Sequence, residues 1–137
     1  MKNLFAYGTL MCEDIMFGVS GCRLPQVPGT LKGYSRRSVK GEHYPAIVSD
    51  KEDTVRGVVY RNVPEAVWDR LDRFEGEMYK RQSVAIELEG GEMLYAETYI
   101  IQEAFMNRLS QSKWEFDHFM TTCKEKFQRN YKGYHLL

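Results

Sequence analysis

The chain has 137 residues, of which 43% are hydrophobic and 13% aromatic, with 19 lysines and arginines against 19 aspartates and glutamates. This length predicts one domain with a core of its own and excludes a two-domain dehydrogenase or synthetase, while the apolar share excludes a disordered or low-complexity chain. A formal net charge of zero argues against a partner chosen by bulk electrostatics, such as nucleic acid or an anionic membrane.

Residues 2–7 predict a strand, with Leu4 and Ala6 alternating against Phe5 and Tyr7, that runs straight into Gly8-Thr9-Leu10. A short helix is expected at 13–17, before the punctuation of Gly18, Gly21, Pro25, Pro28 and Gly29. Residues 27–33, 33–40, 44–48 and 54–63 predict short strands, and Gly57 inside the last marks a bulge, a bend or a close backbone approach. The period then changes. Val67, Leu71 and Phe74 recur at helical spacing behind Pro64, which suits a first helical position, and the helix stops at Glu75-Gly76 with glycine as a left-handed cap. Residues 79–88 and 93–101 predict a hairpin about Gly90-Gly91. Ser112-Lys113-Trp114-Glu115 has the form of a capping box, and Phe116, Met120, Cys123 and Phe127 give one apolar stripe to a C-terminal helical extension at about 112–132. The expected architecture is a single α+β domain over 1–137 with a curved or barrel-like, mostly antiparallel sheet.

Cysteine usage narrows the setting. Cys12, Cys22 and Cys123 form no C-x-x-C and have no histidine at metal-ligand spacing. Neither a disulfide framework nor a structural zinc site is expected, and a reducing cytoplasm is the simplest compartment. The longest uncharged run, residues 3–12, is too short to span a bilayer as a helix and reads poorly as a signal peptide.

Certain residues stand apart from ordinary core and surface. A glycine after the first strand lets successive N–H groups of Tyr7-Gly8-Thr9-Leu10 face one side, a small nest for a carboxylate or oxyanion; the plainer alternative is a strand-ending turn. Glu75 sits at a helix C-terminus, where the dipole disfavours negative charge, and is either functional or simply solvated. Tyr44-Pro45 leads into three apolar residues and alone is a turn into a strand. Cys12 is expected to be a buried small hydrophobe and His118 a helix-face residue. Arg36, Arg37, Lys40 and the basic tail are expected on solvated faces, and Trp114, Phe116 and Phe127 to pack on the barrel.

Together these residues resemble a known family. The segments LFAYGTLM (4–11), G-x-x-YPAIV (41–48), V-x-G-x-V-Y (55–60) and L-D-x-F-E-G-x-x-Y-x-R (71–81) resemble the gamma-glutamylcyclotransferase-like superfamily. The segment Trp114-x-Phe116, followed by a helix with Lys126-Phe127, is similar to its plant avirulence-induced (AIG-type) branch. The resemblance implies a small, mostly antiparallel β-barrel flanked by helices, with a cavity at the barrel's edge. It implies cyclisation of a gamma-glutamyl amine or amino acid to 5-oxoproline with release of the amine, a transferase- or lyase-type reaction. It places the catalytic acid/base on Glu75, the substrate cradle on Tyr7, Gly8, Thr9 and Leu10, a cavity wall on Tyr44 and Pro45, and an accessory role on Tyr79. Thr9-Leu10 stands where gamma-glutamylcyclotransferases proper carry Ser-Asn, as in the gamma-glutamylamine and plant-type branches. No cofactor or metal is implied, because the nucleophile is the substrate's own amine. The expected partner is a small gamma-glutamyl compound, not nucleic acid or membrane, and the protein itself a monomer or homodimer. A module that keeps the pocket and binds a metabolite without turnover is the alternative.

Overall fold

The computed structural model describes residues 2–137. In chain order its main elements are β1 (Lys2–Ala6), α1 (Glu13–Ser20), β2 (Gln26–Val39), β3 (Pro45–Val63), α2 (Trp68–Glu75), β4 (Tyr79–Leu88), β5 (Met93–Ile101) and β6 (Leu109–Lys113). The last helical stretch comprises α3 (Phe116–His118), a π-helical turn (Phe119–Cys123) and α4 (Lys124–Asn130). The strands follow the order β3-β1-β5-β4-β2, and β2 pairs again with β3, which closes a five-stranded barrel; β6 joins the C-terminal part of β2. Every pairing is antiparallel except β1 with β5.

The first strand shows why the barrel holds. Its residues alternate in direction but not in polarity, because both faces are buried. Phe5 and Tyr7 join Val55, Val59 and Ile86 in one core, and Leu4 and Ala6 join Ile15, Trp68, Leu71 and Phe74 of the helices in the other. Each of the Val, Leu, Ile and Phe side chains among them contributes about 1.5–3 kcal/mol on burial. Gly57 faces Gly29 across β2 and β3. A Cβ on Gly57 would collide with the Ala6 carbonyl and the Phe5 ring, and one on Gly29 would lie 2.8 Å from Ile86. Of the alternatives open to Gly57, close approach is therefore the one realised.

The structure revises several expected boundaries. Residues 27–33 and 33–40 are one strand, β2, with a register shift between Lys32 and Tyr34. The two later runs likewise merge into β3, whose polar residues 50–53 take no register partner on β2. A bulge lets a bent strand continue through residues that read as a turn. Pro64 leads not into an α-helical turn but into a short 3-10 turn (Glu65–Val67) ahead of α2. The capping box is not formed: Ser112 lies in β6, and Glu115 flanks α3 without a side-chain cap. Residues 109–113 find ladder partners on β2 at Arg37 and Val39, which a local cap cannot match. The π-helical turn then rephases the stripe, so Phe119 is 1% exposed while Met120 and Cys123 are only half-buried.

Candidate active site

Tyr7 and the turn after it are pinned from two sides. The Tyr7 hydroxyl donates to the Tyr99 carbonyl of β5 at 2.6 Å, and Arg36 Nη1 donates to the Tyr7 carbonyl at 2.8 Å. Gly8 then opens a 3-10 turn (Thr9–Met11), in which the Met11 N–H donates to the Gly8 carbonyl at 3.0 Å. The N–H groups of Thr9 and Leu10 stand at the start of that turn, where the backbone supplies no acceptor, and take no backbone carbonyl among the described residues. A side chain at Gly8 would press on the Pro45 ring at 3.0 Å. Pro45 is held in turn by the Tyr79 hydroxyl, which donates to its carbonyl at 2.7 Å.

Opposite this loop stands the end of α2. Leu71 and Phe74 fix its apolar face in the helix-side core. Gly76 ends it at φ 85°, ψ −173°, a conformation essentially confined to glycine and distinct from the left-handed cap expected there. Glu75, half-buried, faces the cavity together with Tyr7, Gly8, Thr9, Leu10, Tyr44, Pro45 and Tyr79, so the structure brings all the expected site residues together. Among the described residues nothing donates a hydrogen bond to the Glu75 carboxylate, and no cation lies within 4.0 Å of it. Burial first, and the negative charge of Asp72 second, raise its pKa to about 8. Asp72 accepts from the Tyr99 hydroxyl at 2.7 Å and pairs with Arg81 Nε at 3.2 Å. Arg81 also reaches Glu97 at 3.7 Å and covers the Trp68 ring, so its charge is directed at groups other than Glu75. Burial likewise holds the Tyr7 and Tyr79 hydroxyls well above their usual pKa, which keeps them neutral donors.

The void between these walls measures about 20 Å³, room for about one water, so a larger ligand requires the walls to part. Sequence reasoning missed part of this arrangement. Arg36 is not on a solvated face: it is half-buried, donates to the carbonyls of Tyr7 and Arg56, and lies over the Trp114 ring. Asp72 was legible as a second carboxylate one helical turn before Glu75. Tyr99 and Tyr131 also line the cavity, and nothing local in the sequence marks them; Phe127, expected to pack on the barrel, lines it as well. Among the described residues no cluster of three or more His, Cys, Asp or Glu side chains is placed to hold a metal, and no helix is long and apolar enough to cross a membrane.

The structure is thus a closed mixed barrel with a buried tyrosine wall and, at its edge, a carboxylate unpaired among the described residues, and comparison with known proteins places this fold. The family model described as "Gamma-glutamyl cyclotransferase, AIG2-like" matches residues 4–116, and the chain belongs to that family. Among relatives from Arabidopsis thaliana, AIG2-like protein D is 31% identical over 98% of this chain and 89% of its own length. Protein AIG2 C from the same plant is 29% identical over 95% and 79%. The solution structure of an Arabidopsis thaliana protein superposes with a TM-score of 0.73 at 29% identity, covering 93% of this chain and 78% of that one. A solved structure titled "Gamma-glutamyl cyclotransferase" shares the fold with a TM-score of 0.61 at 16% identity, over 74% and 66% of the two chains. Family and fold thus support a function of the gamma-glutamyl cyclotransferase kind.

Proposed function

We propose that the protein cyclises a gamma-glutamyl amine or amino acid to 5-oxoproline, with Glu75 as the general acid/base. The observation that carries this reading is a half-buried carboxylate without a partner, facing a loop of free backbone N–H groups. Glu75 takes a proton from the substrate's α-ammonium group, and the freed nitrogen attacks the γ-carbonyl carbon. The oxyanion that develops is met by the N–H groups of Thr9 and Leu10. Glu75 then returns its proton to the leaving nitrogen as the old C–N bond breaks. The second proton of the attacking nitrogen passes by the same carboxylate to the departing amine, which leaves as an ammonium ion, so no water is consumed and no proton is left over. A pKa near 8 suits both halves of this transfer, because it lies close to that of an amine donor.

The division of labour explains the small machinery. Holding the chain of the substrate in a ring-closing conformer can contribute about 7–11 kcal/mol, and a positioned acid/base a further 10²–10⁴-fold or so. Tyr79, which lines the cavity, fixes Pro45 through its hydroxyl, and Arg36 fixes Tyr7. The test incubates the protein with a panel of gamma-glutamyl amines and dipeptides and measures 5-oxoproline. Product formed by the wild type and reduced at least about 100-fold in Glu75→Gln is the expected result. Tight binding of the same compounds without product would instead make the chain a binding module.

A further inference from the structure

The mouth of the cavity is aromatic, and one side of it comes from outside the region that the family model matches. Of the residues lining the cavity, Tyr44, Glu75 and Tyr131 alone keep partial exposure, so they bound the opening. The rings of Tyr44 and Tyr131 meet edge to face with centroids 5.2 Å apart, and Phe127 stacks on Tyr131 at 4.7 Å. The Tyr131 hydroxyl is committed elsewhere: it donates to the carbonyls of Phe74 (2.7 Å) and Glu75 (3.1 Å) at the end of α2. The mouth is therefore presented with the ring of Tyr131, held in place, and not with a free hydroxyl. Residue 131 lies beyond the matched stretch of 4–116. The charges of Glu42 and Glu75 act on both tyrosines, opposed by Arg108 at Tyr44.

We propose that Tyr131, with Tyr44, is the specificity-determining residue for the leaving amine. The inference rests on the cyclisation proposed above. With the glutamyl part between Glu75 and the loop 8–10, the departing amine passes the two rings at the mouth. Apolar and aryl amines gain contact with those rings, a small amine leaves them unused, and an amine carrying a carboxylate meets the charge of Glu42 beside Tyr44.

The test compares kcat/KM for 5-oxoproline release from gamma-glutamyl benzylamide, gamma-glutamyl methylamide and gamma-glutamylalanine, using wild type, Tyr131→Phe and Tyr131→Leu. Intrinsic leaving-group reactivity is common to all three proteins, so the change in ratio between them is the readout. Tyr131→Leu is expected to lower the benzylamide-to-methylamide ratio about fivefold, mainly through KM, as loss of an aromatic contact dictates. Tyr131→Phe is expected to keep the ratio of the wild type. A ratio unchanged in Tyr131→Leu overturns the inference, as does an equal loss in Tyr131→Phe, which would assign the effect to the hydroxyl. If Tyr131→Leu does not fold, Tyr44→Leu removes the opposite ring and carries the same expectation. Product from no compound at all sinks the cyclisation itself, an outcome distinct from product without a ring-dependent preference.

Discussion

Burial, the charge of Asp72 and the carbonyl end of α2 all favour the protonated form of Glu75. The folded protein therefore binds this proton more tightly than the unfolded chain, whose carboxyl group titrates near 4.5 against about 8 in the fold. A raised pKa gives stability that is complete below 4.5 and lost as pH rises through 8. Glu75→Gln removes that loss. The variant should melt level with the wild type at pH 4 and above it at pH 9, by roughly 2–4 kcal/mol once partial exposure is discounted. Thermal denaturation at the two pH values checks this, and equal melting at both would refute the buried, unpaired state of the carboxylate. At the same scale lies the difference between Arg36 and Arg37. Both are basic neighbours in one strand, and a sequence shows their charge but not their facing; strand parity sends them to opposite faces, and only Arg36 finds the Tyr7 carbonyl. Glu75 was legible because it breaks a local preference, whereas Arg36 obeys every local rule and owes its role to a contact 29 residues away.

At the scale of elements, helices and strands were legible wherever period and punctuation agreed, as for α2 and the β4–β5 hairpin. They misled where a distant partner changed the local answer. The C-terminal stripe is the clearest instance, since a π-helical turn at Phe119–Cys123 rotates the residues of α4 by a fraction of a turn. Periodicity alone makes Met120 a core position and Phe119 a flank. The structure reverses the two, so Phe119→Ala should destabilise by about 3–5 kcal/mol and Met120→Ala by distinctly less. Urea denaturation of the pair decides it: the opposite ranking would restore a regular α-helix here.

The whole molecule depends on closure. A five-stranded barrel leaves a narrow interior, and Phe5 fills it only because Gly29 and Gly57 yield the space. Gly57→Val should therefore abolish cooperative unfolding or lower stability by more than about 3 kcal/mol, since the obstructing atoms include backbone. The exposed Gly18 of α1, with nothing within 4 Å of an added Cβ, provides the contrast. Gly18→Ala should be neutral or stabilising by up to about 1 kcal/mol. Far-UV circular dichroism melts of the two variants would show whether steric closure or glycine content is at stake.

The parallel seam between β1 and β5 has a consequence for the life of the chain. Tyr7, Gly8, Thr9, Leu10, Tyr44, Pro45, Glu75 and Tyr79 have all left the ribosome's catalytic centre before Met93 is added. Yet the Tyr7 hydroxyl has no acceptor until Tyr99 arrives, 92 residues later, and the rim waits longer still for Tyr131. A nascent chain at that point, about two thirds complete, holds these residues of the candidate site and not yet the pocket they line. Lesions far downstream, a premature stop or a nick at the Gly90-Gly91 turn, would unmake the pocket while leaving the residues of the candidate site in the chain.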